Sequence, residues 1–138
     1  MTTELTCLML MALLAASLWI PFVVGVNTAQ ADASRPDSFV VPPDPLKMAP
    51  WIARSYRAHQ NLLEQFLPFA VVVLVAHAIG VSTTVTKWAC IVFVALRVAH
   101  AIGMITATAR MPLRPLLFTA GYITILAIAS QVFLYGGG

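Results

Sequence analysis

Charge is scarce in this chain. Only 9% of its 138 residues are Asp, Glu, Lys or Arg, 60% are hydrophobic, and the mean hydropathy is +0.89. A soluble domain carries about a quarter of its residues as charges to dress its surface, so an ordinary soluble fold is excluded. Cysteine is nearly missing as well. Cys7 and Cys90 both sit in apolar runs without CxxC or metal-ligand spacing, which excludes a disulfide framework or a thiolate metal site and leaves them as reduced packing residues. No basic run exists. The eight Lys and Arg are scattered through apolar sequence, so the net charge of +3 does not describe a nucleic-acid surface. The N-terminus lacks the basic residues that open a secretory signal and begins instead with Glu4, so the apolar run 5–26 predicts a retained helix.

What the chain has in abundance is long apolar runs. Four of them, at 5–26, 51–79, 85–108 and 115–135, predict an all-α integral membrane four-helix bundle in a single domain over 1–138. Between the first two lies the one substantial loop, 27–50, with Asp32, Arg35, Asp37, Asp44, Lys47 and five prolines. Short breaks at 80–84 and 110–115 separate the remaining spans, and the glycine tail 136–138 predicts disorder. Alternating spans put the long loop and the Arg110/Arg114 loop on one side of the membrane. Every Lys and Arg except Lys87 then falls on or near that side, which the positive-inside rule makes cytoplasmic, with both termini outside. Short loops fit a bacterial inner membrane.

The polar residues inside these runs are the functional candidates, because a charge within a membrane span is costly and seldom idle. Arg54, Arg57, Asn61 and Glu64 are spaced by three, four and three, which stacks them on one face of the second helix. Arg97 and His100 lie one turn apart on the third helix, where an antiparallel neighbour would bring Arg97 against Glu64, and Arg114 opens the fourth at the same level. Together with His59 they form a cluster with excess positive charge, suited to an anion, because a guanidinium fork binds carboxylates bidentately and keeps its charge on burial. The plainer alternative is that Arg54 and Arg97 pair with Glu64 or reach lipid phosphates. Pro68 predicts a kink beside this cluster, since its ring opposes the Glu64 carbonyl four residues earlier. His77 lies at the far end of the second helix and reads as a packing histidine, and no metal site is expected.

The string Arg57-Ala58-His59-Gln60-Asn61-Leu62-Leu63-Glu64-Gln65-Phe66-Leu67-Pro68-Phe69 closely resembles the signature of the MAPEG family, the membrane-associated proteins of eicosanoid and glutathione metabolism. Arg97-Val98-Ala99-His100, continuing to Arg114, resembles the third-helix and fourth-helix region of the microsomal prostaglandin E synthases and glutathione transferases of that family, here in a bacterial-type member. The resemblance covers about the last two thirds of the chain. It implies a homotrimer of four-helix protomers that holds glutathione between subunits near the cytoplasmic face. By motif position it implies that Arg57, Asn61 and Glu64 bind glutathione, with Arg54 and His59 beside them. Arg97 would pair with Glu64, His100 would line the site, and Arg114, or else Arg110, would stabilise the thiolate. A cation beside a thiol lowers its pKa, and the thiolate then attacks a membrane-soluble electrophile or reduces a peroxide.

Three departures bear on activity. Met104 and Phe118 stand where relatives of this type often carry tyrosine, and Pro115 stands where the prostaglandin synthases carry serine. These losses argue against a prostaglandin synthase and leave thiolate activation to the arginine alone. The expected function is therefore a glutathione transferase or peroxidase acting on hydrophobic electrophiles, and the alternative is a non-catalytic lipid-binding or scaffold member of the same fold. A small multidrug transporter would place its acid within the first helix, which has none beyond Glu4, and a bis-histidine haem site would need His59 and His100 to face one cavity.

Overall fold

The computed structural model describes residues 1–28 and 44–136. Segment 29–43, with Asp32, Arg35 and Asp37 of the predicted loop, and the last two glycines lie outside the described residues. The described chain consists of helices α1 (Thr3–Ser17), α2 (Ile20–Thr28), α3 (Pro50–Ala78), α4 (Thr84–Ile105) and α5 (Leu113–Tyr135), a single 3-10 turn at Pro45–Lys47, and no strand. Helices α1 and α2 follow one another as a 26-residue unit, and this unit, α3, α4 and α5 are each long and apolar enough to cross a membrane.

The interruption inside the first span has a local cause. Pro21 has no N–H to offer the Ser17 carbonyl and its ring crowds that carbonyl, so α1 stops at Ser17 and the helix restarts at Ile20. By contrast α3 runs unbroken through Pro68. Its start is set by Pro50, whose missing N–H costs nothing in the first turn. Its end is a Schellman turn: Gly80, at φ 74°, lets Val81 N–H reach the Ala76 carbonyl (2.8 Å) while Gly80 N–H reaches that of His77 (3.1 Å). Thr83 and Thr86 then close a reciprocal capping box that opens α4.

α4 ends at Ile105, three residues before the expected boundary. The Thr106 hydroxyl bonds back to the Ile102 carbonyl at 2.7 Å, and Ala107 adopts a left-handed conformation at φ 62°. Gly103 makes this reversal possible, because a Cβ there would lie 2.6 Å from the Ala109 side chain. α5 begins two residues earlier than expected, at Leu113.

Burial follows a bilayer pattern. Leu67, Trp88, Phe133 and Leu134 point outward, as suits surfaces solvated by lipid, and the core is small and tightly packed. Met11, Leu62, Phe69, Val73, Cys90, Phe93 and Ile128 fill it, with the Phe69 and Phe93 rings stacked at 4.0 Å. Both cysteines are buried and unpaired. At the end of the bundle where α1 begins, Glu4 is buried and its Oε1 accepts from Ser82 Oγ (2.9 Å) and Thr86 Oγ1 (2.7 Å), which ties α1 to the start of α4.

Candidate functional site

Near the opposite end, α3, α4 and α5 enclose an open cleft of about 360 Å³. Its walls are Asn61 from α3, His100 from α4, Met111 from the preceding loop, and Arg114, Pro115, Phe118 and Thr119 from the first turns of α5. Asn61, His100 and Arg114 are thus brought together. Asn61 donates its amide N–H to the Arg57 carbonyl one turn back (2.8 Å), which fixes the side chain along the cleft wall and leaves its oxygen as the other polar atom. His100 is buried, its ring 6.4 Å from that of Phe118. Arg114 is half-buried on the cleft, whereas Arg110 is exposed and does not line it.

The expected pairing of Arg97 with Glu64 does not occur. The only ion pair among the described residues is the exposed Lys47–Asp44 contact. Glu64 is exposed on α3, while Arg97 is 1% exposed and turns inward. There its Nη2 donates to the Leu117 carbonyl at 3.2 Å and its guanidinium lies 5.6 Å from the centroid of the Phe118 ring. Nε and Nη1 have no partner. The reason is rotational: Arg97 belongs to the same α4 face as Phe93, His100 and Ala101, which the core claims, and Glu64 falls outside the buried stripe of α3. The other members of the predicted stripe separate. Arg54 donates from Nε to the Ile105 carbonyl (3.1 Å) and so caps α4. Arg57 is exposed, and His59 is half-buried with Nδ1 unpartnered and does not line the cleft with His100.

Two residues outside the expected set hold this arrangement together. Gln65 is 4% exposed and donates from Nε2 to the Phe118 carbonyl at 2.8 Å. Gly121 lies opposite: a Cβ there would come within 2.5 Å of Gln65 Oε1 and 3.5 Å of Arg97 Nε. Adjacent carbonyls of α5, those of Leu117 and Phe118, therefore each receive a side-chain donor, one from α4 and one from α3. This buried clamp sets the position of the turns that carry Arg114, Phe118 and Thr119. Its signal was present in the sequence, because Gln65 falls in step with the apolar positions Ala58, Leu62, Phe69 and Val73, where a polar side chain needs a buried partner. Thr119 is a third omission. It places a hydroxyl on the cleft wall next to Phe118, one residue from the position at which the departures described above lose one.

Fold and cleft together define a membrane-embedded helical protein with a basic cavity among its last three spans. A model of the MAPEG family matches residues 6–134, nearly the whole length, and the chain belongs to that family. Comparison with curated proteins yields no match.

Proposed function

We propose that this protein is a glutathione-dependent transferase or peroxidase for hydrophobic electrophiles. The observation that carries the reading is an uncompensated positive field. Arg114 lines the cleft, and Arg97 lies buried behind Phe118 with no carboxylate partner among the described residues, so the two guanidinium charges carry the field. An unpaired buried guanidinium costs several kcal/mol, on the order of 3–5, and an anion in the cleft offsets part of that cost. Glutathione has two carboxylates, an ammonium and a thiol. Arg57 suits a carboxylate, Glu64 the ammonium, and Asn61 and His100 the peptide groups, while Arg97 acts on the anion through its field from behind Phe118.

Arg114 is the catalytic candidate. Its guanidinium favours the thiolate over the thiol, and Thr119 supplies a hydroxyl donor within the same wall. In conjugation the thiolate sulfur forms a bond to the electrophilic carbon and the leaving group departs with its electron pair. In peroxide reduction the thiolate sulfur attacks one peroxide oxygen, the O–O bond breaks and the other oxygen leaves as alkoxide, which takes a proton to become the alcohol; a second glutathione then converts the sulfenic acid to the disulfide and water. Met111, Pro115 and Phe118 give the cleft an apolar rim against which a membrane-dissolved substrate rests.

Arg57 and Glu64 point away from the cleft of their own chain, so this reading has them complete the site of a neighbouring subunit in a homotrimer. The protein would lie in a bacterial inner membrane with both termini outside the cytoplasm. Purified protein in neutral detergent should conjugate a chlorinated nitrobenzene with glutathione, and calorimetry should show glutathione binding that Arg57→Ala weakens at least about tenfold, the scale of one charge-assisted hydrogen bond. Absence of both turnover and binding in the wild type would refute the reading. Binding without turnover would instead favour the non-catalytic, lipid-binding or scaffold member, which the apolar Met111, Pro115 and Phe118 walls also suit.

A further inference from the structure

The end of the bundle remote from the arginines has the opposite electrostatic character. Glu4 is the one buried carboxylate among the described residues, at 4% exposure. Its Oε1 is saturated by two hydroxyl donors, from Ser82 and Thr86, whereas Oε2 has no hydrogen-bond partner and no cation faces it. The same residue forms part of the wall of a half-enclosed cavity of about 230 Å³ between the start of α1, the end of α3 and the turn that leads into α4. Thr2, His77 and Ser82 add polar groups to that wall, and Val73, Ala76 and Val81 make the rest of it apolar. None of these residues belongs to the arginine cleft.

The geometry points to a binding site for a primary ammonium group on a short alkyl stem. An ammonium carries three N–H donors and no acceptor. The residues that line the cavity carry acceptors in matching number: the unpartnered oxygen of Glu4, a lone pair of Ser82 Oγ, whose proton goes to Glu4, and the His77 ring or the Thr2 hydroxyl. The alkyl stem then lies against Val73, Ala76 and Val81. Calcium or magnesium suits the cavity poorly, since each needs six or more oxygen ligands and three wall residues have only hydrocarbon to offer; no cluster of three metal-ligating side chains exists among the described residues. The ammonium could belong to a soluble amine or to an aminophospholipid headgroup, which share this chemistry.

The test uses wild-type protein in a neutral maltoside detergent, titrated calorimetrically with n-butylammonium and, as the isosteric uncharged control, n-butanol. Saturable binding of the amine and none of the alcohol is expected. Glu4→Gln should weaken the amine about ten- to a hundredfold, the worth of a hydrogen bond to a charged group, and leave glutathione affinity unchanged. Val81→Phe, which fills the cavity but keeps the carboxylate and its two hydroxyl partners, should abolish amine binding even if Glu4→Gln does not fold. In nanodiscs, phosphatidylethanolamine but not phosphatidylcholine should compete with butylammonium if the lipid is the source, and neither should compete if the source is soluble. Equal uptake of amine and alcohol, no uptake of either, or amine affinity unaltered by both variants would overturn the assignment. The result is independent of whether the arginine cleft binds glutathione.

Discussion

Replacing Gly121 by alanine isolates the clamp that positions α5. On helix propensity alone the change should stabilise α5 by about 1 kcal/mol. The structure gives the opposite sign, because the new Cβ would sit 2.5 Å from Gln65 Oε1, and Gln65 is held in place by its 2.8 Å bond to the Phe118 carbonyl. Relieving the overlap means swinging the amide away. This loses a hydrogen bond worth about 1 kcal/mol and strands a buried amide at about 1–3 kcal/mol, so the net loss is about 1–3 kcal/mol once propensity is credited. Arg97 Nε, at 3.5 Å, is in ordinary contact and adds little. Gln65→Ala should cost a similar amount alone, but in that background the Cβ meets open space and Gly121→Ala should become neutral or stabilising. A double-mutant cycle, read from reversible unfolding in mixed micelles, should show a coupling of about 1–3 kcal/mol. Glutathione affinity should fall with Gly121→Ala and with Gln65→Ala, and the double variant should bind no more weakly than Gln65→Ala alone. Additivity within about 0.5 kcal/mol, or a stabilised single variant, would show that no such clamp exists.

Three further outcomes follow from particular contacts. Ala107→Gly should raise the midpoint of thermal unfolding, since a left-handed alanine at φ 62° is strained by about 1–2 kcal/mol, of which the entropy of glycine takes back about half; an unchanged or lowered midpoint would contradict this. Arg54→Met should destabilise by about 1–2 kcal/mol through loss of the cap on the Ile105 carbonyl while changing the KM for glutathione less than Arg114→Met does, and a larger KM effect at Arg54 would restore it to the site. Phe93→Ala should cost about 3–5 kcal/mol by removing a fully buried ring that stacks on Phe69, checked by the same unfolding measurement, and a cost below about 1 kcal/mol would mean the core collapses around the gap.

Much of the architecture was legible because a bilayer sorts sequence by hydropathy. Runs long enough to span announce themselves, and Pro50, Gly80 and Thr83 mark boundaries by mechanisms that act within a few residues. The candidate site was legible only as far as single-helix geometry reaches. Spacing correctly groups Arg57, Asn61 and Glu64 on a face of α3, but it does not say which way that face turns. That depends on the competing stripe of Ile52, Ser55, Ala58, Leu62, Gln65 and Phe69, which the core selects. The Arg97–Glu64 pairing failed for this reason, since each residue's orientation was set by its own helix's apolar face. The cap that Arg54 places on α4 was not legible, because it depends on where α4 ends, and that end is fixed by Gly103 and Ala109, far from Arg54 in the chain. Glu4 passed as a terminal residue because its partners, Ser82 and Thr86, lie about 80 positions away.

The exposure of Glu64 makes a demand on its surroundings that helix length renders quantitative. α3 has 29 residues, about 43 Å at 1.5 Å per residue, against about 30 Å of hydrocarbon. About nine residues can therefore lie outside the apolar layer. Even if all nine are assigned to the amphipathic first half, the layer begins near His59: Arg57 stays at the interface, where a long side chain can reach water, but Glu64 sits about 7 Å inside. A carboxylate facing lipid there has neither the reach to snorkel nor an internal cation, because Arg97 turns away from it. Insertion scales put an unpaired acid at the centre of a span at about 2.5–3.5 kcal/mol, a ceiling for the shallower Glu64, and a cation or a polar cavity outside this protomer would offset that cost. The ammonium of glutathione and a basic side chain of a neighbouring copy both meet that need, which is why the proposed intersubunit site accounts for Glu64 and a solitary protomer does not.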